Sequence, residues 1–197
     1  ASGLAIAPGF IDMHSHSDWL LPSPEHPGLM KNLLEQGITT VVGGNCGISP
    51  APLTADSIKL LEESPLQSII ELPLDYTWRS MAGFLDHVER TEPLVNMAEL
   101  VGHSTVRFAS SNVLRGRMPP DEMNACLDSL RQSFDEGAGG LSFGLGFEPG
   151  MYSPLDEIEA FSSFAAKAGK HFTVHLKALS KISPTYPVTY LKPHNLR

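Results

Sequence analysis

Phe10-Ile11-Asp12-Met13-His14-Ser15-His16-Ser17-Asp18 decides how this chain folds. Phe10 to Met13 reads as a short buried strand, and two histidines spaced by one residue follow it at once. Side chains alternate along an extended chain, so His14 and His16 point to one side. Asp12 and Asp18 share that side if the extension continues. Two imidazoles projecting together from a strand end can hold one metal ion through nitrogen. H-x-H alone is common. At the carboxyl end of the first strand of an alternating α/β chain it is far more specific, and the metal reading is preferred to two polar residues at a strand mouth.

The alternation continues outward from this stretch. Pro27 to Gln36 carries Leu29, Met30, Leu33 and Leu34 at helical spacing, with Gly37 just beyond. Ile38 to Val42 is β-branched throughout and predicts a buried strand. Helices are expected at Ala55 to Glu63, Arg79 to Arg90 and Asp121 to Glu136. Strands are expected at Leu94 to Val101, Gly140 to Phe143 and His171 to His175. Ser153-Pro154-Leu155-Asp156 predicts a capping box that opens a further helix ending near Gly169. Strand and helix in turn imply a parallel sheet with right-handed crossovers. An open doubly wound sheet and a (β/α)8 barrel compete. No G-x-G-x-x-G follows the first strand, which weakens the dinucleotide form of the open sheet. Asp12 to Val174 spans 162 residues, and a complete barrel takes about 250. The expected architecture is therefore the first five βα units of a (β/α)8 TIM-type barrel, with no repeat or low-complexity segment.

Composition narrows the function. The 197 residues carry 14 Lys+Arg against 22 Asp+Glu, a formal charge of −8. Nucleic acids and anionic membranes are bound mainly through Lys and Arg, so neither is an expected partner. The hydrophobic fraction of 42% suffices for a core, and no apolar run is long enough to span a bilayer. No secretion leader opens the sequence, and two cysteines in unlike contexts do not make a disulfide framework. A reducing, cytoplasmic setting and a small-molecule substrate are expected. The chain opens on Ala1-Ser2-Gly3 and stops at Leu196-Arg197 without a closing element, so it reads as a fragment.

Three further positions carry chemistry. Cys46 sits in Gly43-Gly44-Asn45-Cys46-Gly47, just after the second strand, where barrel enzymes place active-site loops. A thiolate there can ligate Zn²⁺ beside imidazoles, and with His14 and His16 present that reading is favoured over a packed or redox-labile thiol. His175 ends the fifth strand, at the same kind of position, and is the next ligand candidate. His103 ends the third strand and either positions substrate or caps the loop. Cys126 shares a stripe with Met123, Leu127 and Leu130, which predicts a core cysteine. The stretch Gly144 to Gly150 lacks Lys and Arg and suits a substrate loop better than a phosphate cradle. No G-x-S-x-G elbow is present. His26, His87 and His194 have no supporting context.

Taken together, these segments resemble the amidohydrolase superfamily, and within it the D-aminoacylases, or N-acyl-D-amino-acid deacylases. The resemblance rests on Ala7 to Asp18, Gly37 to Pro50, Gly102 to Arg107, Gly140 to Leu145 and Thr173 to Lys177, in family order. Its most specific part is Gly44-Asn45-Cys46-Gly47. It implies a distorted barrel with zinc at its carboxyl mouth, held by His14, His16, Cys46 and His175. It implies that residues 1–8 leave a missing small β domain and that residues 9–197 begin the barrel. A further ligating histidine and the catalytic aspartate would lie beyond Arg197, so the isolated piece is expected to be inactive. His103, Ser142 and Lys177 are the expected substrate-binding residues; many relatives carry arginine at the position of Lys177 and tyrosine at that of Phe147. The expected activity is zinc-dependent hydrolysis of the amide of an N-acyl-D-amino acid. Two alternatives stand beside it. One is a cyclic-amide hydrolase of the dihydroorotase or hydantoinase kind, against which Cys46 argues. The other is a non-catalytic metal-binding fragment that self-associates through exposed barrel edges.

Overall fold

The computed structural model describes residues 3–63 and 74–177. The apolar and β-branched runs form five parallel strands: β1 (Phe10–Asp12), β2 (Ile38–Gly43), β3 (Asn96–Gly102), β4 (Gly140–Gly144) and β5 (His171–His175). They lie in one sheet in chain order, β1-β2-β3-β4-β5. A doubly wound sheet reverses its strand order at a switch point. This sheet never reverses, so the open-sheet alternative falls and five consecutive units of a (β/α)8 barrel remain. Residues 178–197, which the sequence assigned to the barrel and which include His194, lie outside the described residues.

Among the described residues six helices connect the strands: α1 (His26–Glu35), α2 (Ala55–Glu63), α3 (Met81–Arg90), α4 (His103–Ser110), α5 (Pro120–Asp135) and α6 (Leu155–Lys167). α4 packs on α2, α5 and β4, and α6 on α5, β4 and β5, so the helices follow the sheet around in sequence. The core between them is apolar: Met81 and Phe84 from α3, Leu130 from α5 and Phe161 from α6 meet Val41, Val101, Leu141 and Phe143 of the strands. Full burial of each such large side chain contributes about 1.5–3 kcal/mol. Among the described residues no helix is long and apolar enough to cross a membrane.

Three expectations need correction. β1 is not buried: Phe10, Ile11 and Met13 are 69%, 58% and 65% exposed, and Phe172 of β5 is 46% exposed. These strands are the two ends of the sheet, and their apolar side chains have the composition of barrel strands without neighbours on both sides. The Ser153–Asp156 capping box does not form. Pro154 is the N-cap residue of α6 without a side-chain bond, and Ser153 Oγ donates instead to Glu157 Oε1 at 2.9 Å. Helix α4 was not foreseen. Its first six residues, His103 to Phe108, are all buried although four of them are polar, so polar spacing does not mark a solvent-facing side as it does on a surface helix.

Candidate metal centre

The chain leaves β1 at Asp12 and turns. His14 N–H donates to Asp12 Oδ1 at 3.1 Å, and Ser15 N–H donates to Val42 O at 3.0 Å, which keeps the segment against β2. A 3-10 turn over Ser17–Trp19 follows. This path leaves the rings of His14 and His16 edge to face with centroids 5.7 Å apart. Cys46 Sγ lies 3.3 Å from His14 Nε2 and 3.5 Å from His175 Nδ1. One donor atom each from His14, His16 and Cys46 falls within 4.8 Å of the others. A tetrahedral ion with nitrogen at about 2.1 Å and sulfur at about 2.3 Å separates its donors by about 3.4–3.7 Å, so the three need only small rotations to share one ion.

The electrostatics suit a cation. Burial, then the neighbouring rings of His14 and His175, hold His16 below the ordinary histidine range. Burial, then His14, does the same for His175. Both rings therefore favour the neutral form that ligates metal. Burial and the nearby charge of Asp18 push the Cys46 thiol up. Without a cation this favours the protonated, less reactive thiol, and a metal ion is the partner that would draw out its proton. Among the described residues His16 Nδ1 is buried with no hydrogen-bond partner, which leaves a nitrogen lone pair for a ligand. The donor set and its surroundings thus fit a zinc-type ion.

Cys46 is held by its loop. Its φ of 58° lies in the left-handed region that few non-glycine residues adopt, between Gly44 at 67° and Gly47 at 76°. A methyl group at Gly44 would collide with the Leu100 carbonyl, and one at Gly47 with the Gly144 backbone, so only glycine lets the loop settle onto β3 and β4. Ser142 Oγ accepts the Gly47 N–H at 2.9 Å and donates to the Gly44 carbonyl. Asn45 Nδ2 donates to Val42 O at 2.8 Å, and Thr173 Oγ1 donates to Asn45 Oδ1 at 3.2 Å. Ser104 N–H donates to Gly47 O at 2.9 Å. Residues of β2, β4 and β5 and the start of α4 all grip this one loop. On its far side Leu145 N–H donates to His175 O at 2.9 Å, fixing the end of β5.

The structure brings His14, His16, Cys46 and His175 together, and it buries two of the three expected substrate-binding residues. Ser142 is fully buried beneath the Cys46 loop. His103 is also fully buried, its ring between Phe143 and Phe161 at centroid distances of 5.2 and 4.8 Å. Its Nε2 donates to Glu157 Oε1 at 2.8 Å, and Glu157 also takes Arg107 Nη1 at 3.2 Å, closing a buried polar cluster in the helix layer. Burial, above all, lowers the His103 pKa and keeps the ring neutral. Lys177 Nζ donates to Met151 O at 2.7 Å, bridging the end of β5 to the loop after β4. Cys126 is wholly buried, as its stripe predicts.

One feature of the site escaped sequence reasoning. Asp18 does not stay on the side of His14 and His16, because the 3-10 turn carries it inward. It is fully buried, and its Oδ2 accepts the Gly44 N–H at 3.0 Å. Glu99 of β3, 2% exposed, faces it beneath Gly43. Burial is the first cause that raises both acids, Asp18 to about 7 and Glu99 well above the carboxylate range. A glutamate between Ala98 and Leu100, inside a strand, is the signal of this pair in the sequence.

No family model matches the chain. Individual proteins do. N-acyl-D-glutamate deacylase of Alcaligenes xylosoxydans xylosoxydans is 37% identical over 182 residues, covering 90% of this chain and 34% of the relative. N-acyl-D-aspartate deacylase of the same organism is 38% identical over 180 residues, with the same coverage. A crystal structure of D-aminoacylase, described as defining a novel subset of amidohydrolases, superposes with a TM-score of 0.75 at 31% identity, over 87% of this chain and 34% of that one. N-acyl-D-glutamate deacylase from Bordetella bronchiseptica, complexed with zinc and a phosphonate mimic of the tetrahedral intermediate, superposes with a TM-score of 0.73 at 31% identity. The chain spans about a third of the length of these relatives.

Proposed function

We infer that the chain is the first five strand–helix units of an amidohydrolase of the D-aminoacylase type, and that the protein hydrolyses the amide of an N-acyl-D-amino acid. The observation that carries this reading is the meeting of Cys46 Sγ with His14 Nε2 at 3.3 Å and His175 Nδ1 at 3.5 Å, in a chain similar to deacylases on both sequence and fold. His14, His16, Cys46 and His175 would hold zinc. When bound, zinc polarises the amide carbonyl and lowers the pKa of a coordinated water to about 7.

The chain's own residues prepare the site for that chemistry. His14 and His16 come from one turn, Cys46 from a loop gripped by residues of β2, β4, β5 and α4, and His175 from the end of β5. Donors placed on a rigid scaffold do not have to reorganise as the reaction proceeds. Addition of water across the amide yields a carboxylate and a D-amino acid. The proton leaves the water and must reach the departing amine. None of the four ligands is free to carry it, so a further acid–base group is required; the resemblance assigns that role to an aspartate beyond Arg197. Residues 1–8 would link the barrel to a small β domain. The exposed apolar side chains of β1 and β5 support a closed barrel in the intact protein, and self-association when the piece stands alone. A cytoplasmic, small-molecule enzyme is the setting we assign.

The test is turnover by the intact protein of N-acetyl-D-glutamate, N-acetyl-D-aspartate and N-acetyl-D-methionine beside their L-isomers. Release of the D-amino acid, lost on chelation and restored by zinc, is expected. Equal rates on both isomers, or preference for dihydroorotate, would overturn the reading.

A further inference from the structure

The Asp18–Glu99 pair is a costly feature that zinc ligation does not use. Two fully or nearly fully buried carboxyls meet beneath Gly43, and among the described residues neither pairs with a lysine, arginine or histidine. Asp18 Oδ1 and both Glu99 oxygens have no partner beyond each other. An apolar pair of the same volume would serve stability better, so packing alone does not account for the acids.

The connection they make does. Asp18 lies two residues after His16, and Gly44 lies two residues before Cys46. The bond from Gly44 N–H to Asp18 Oδ2, 3.0 Å long, therefore joins the turn that carries His16 to the loop that carries Cys46. Apart from β-ladder contacts, it is a side-chain tie between the two ligand-bearing segments. Glu99 comes from β3, the strand next to β2, and its carboxyl lies against Gly43 and Gly44. It fills the space into which Asp18 would otherwise swing. Outer partners of this kind fix ligand orientation in metal sites, and their loss typically costs 10–100-fold in metal affinity.

We propose that Asp18, backed by Glu99, is a positioning residue of the metal centre, setting the approach of Cys46 to His14 and His16 through the Gly44 amide. The proposal rests on the zinc-site reading above.

The experiment measures zinc affinity of the intact protein by chelator competition, and the thiolate-to-metal absorption of its cobalt(II)-substituted form. Asp18→Ala removes the acceptor for Gly44 N–H; it should bind zinc about 10–100-fold more weakly and show a diminished thiolate–cobalt band. Asp18→Asn keeps an acceptor oxygen and should retain affinity within about threefold, a rescue that a mere requirement for buried charge would not give. Glu99→Leu keeps volume and removes a buried acid. It should unfold at higher temperature yet bind zinc more weakly, a split that a purely structural role does not produce, and it keeps the test decisive where Asp18→Ala fails to fold. Unchanged zinc affinity in Asp18→Ala, or in Glu99→Leu where Asp18→Ala does not fold, would overturn the positioning role while leaving the metal site intact. So would an Asp18→Asn variant as weak as Asp18→Ala. A wild-type protein that binds no zinc would overturn the underlying site instead.

Discussion

Cys46 Sγ stands 3.5 Å from His175 Nδ1 although 129 residues separate them in the chain. That approach requires the ends of β2 and β5 to open on the same side of the sheet, as strands of one barrel do. It also makes the sulfur the hinge of the site, in contact with His14 on one side and His175 on the other. The environments of the two cysteines then diverge, and their reactivity should diverge with them.

Burial pushes the Cys126 thiol up to about 12, and burial with the charge of Asp18 also raises Cys46. A raised thiol pKa lowers the fraction of reactive thiolate at a given pH. At pH 8 a thiol titrating near 12 is ionised in about one molecule in ten thousand. Iodoacetamide should therefore leave Cys126 unmodified in the folded protein, label Cys46 slowly once metal is removed, and spare Cys46 when zinc is added. Peptide mass spectrometry reads all three. Equal labelling of the two cysteines in the folded, metal-free protein would contradict the assigned environments.

The buried cluster of the helix layer makes a separate claim, on stability. Arg107, fully buried, donates to Glu157 Oε1, to Ser153 Oγ at 2.8 Å, and to the carbonyls of Val113 and Gly116 at 2.6 and 3.1 Å. Glu157→Ala leaves that guanidinium uncompensated and should cost about 3–5 kcal/mol. Combining Arg107→Met with Glu157→Leu should recover much of the loss, because the pair is then removed together. Urea unfolding of the intact protein measures both. A single-variant loss below about 1 kcal/mol would show that water reaches the cluster.

The parts of this fold legible in the sequence are those set by local pattern. Five strands, five of six helices and the four converging side chains follow from β-branched runs, helical spacing and strand-end positions. Cys46 was readable because glycines flank it and a strand precedes it. What escaped depends on contacts distant in sequence. Ser153 has the look of a cap, but Arg107 and Glu157 claim its hydroxyl. Asp18 shares the parity of His14 and His16 until a 3-10 turn redirects it toward Glu99. Ser142 lies within β4 and His103 just past β3, yet the Cys46 loop covers one and the ring of the other turns in between Phe143 and Phe161. Exposure of β1 was unreadable for another reason: its composition reports the barrel it is built for.

Ser142 offers a direct contrast between positioning and substrate contact. Ser142→Ala strips the Gly47 N–H of its acceptor and the Gly44 carbonyl of a donor, both buried. The expected cost is about 1–3 kcal/mol in stability, with zinc affinity falling as the Cys46 loop loosens. Once saturated with zinc, the variant should keep the KM of the wild type. A several-fold rise in KM with zinc affinity unchanged would instead favour the substrate-binding role that the resemblance implies.

The decisive prediction concerns Cys46 itself. If its sulfur only packs in the turn, Cys46→Ser is a small change, and zinc content follows the wild type. If the sulfur ligates, a neutral hydroxyl replaces a thiolate, a much poorer partner for a borderline-soft ion. The remaining donors would be imidazoles alone, and the site would lose the negative charge that offsets the cation. Zinc affinity should fall at least about tenfold, as loss of an outer-shell partner alone can cause that much. Hydrolysis should fall with it. Cys126→Ser is the internal control: its sulfur lies 3.7 Å from Met118 Sδ in the α5 core, far along the chain from any donor of the site. It should lower stability modestly and leave zinc alone. Elemental analysis of both variants, purified in parallel from the intact protein, reads the difference. A Cys46→Ser protein with wild-type zinc and full activity would remove the sulfur from the ligand set and leave the histidines to account for the site.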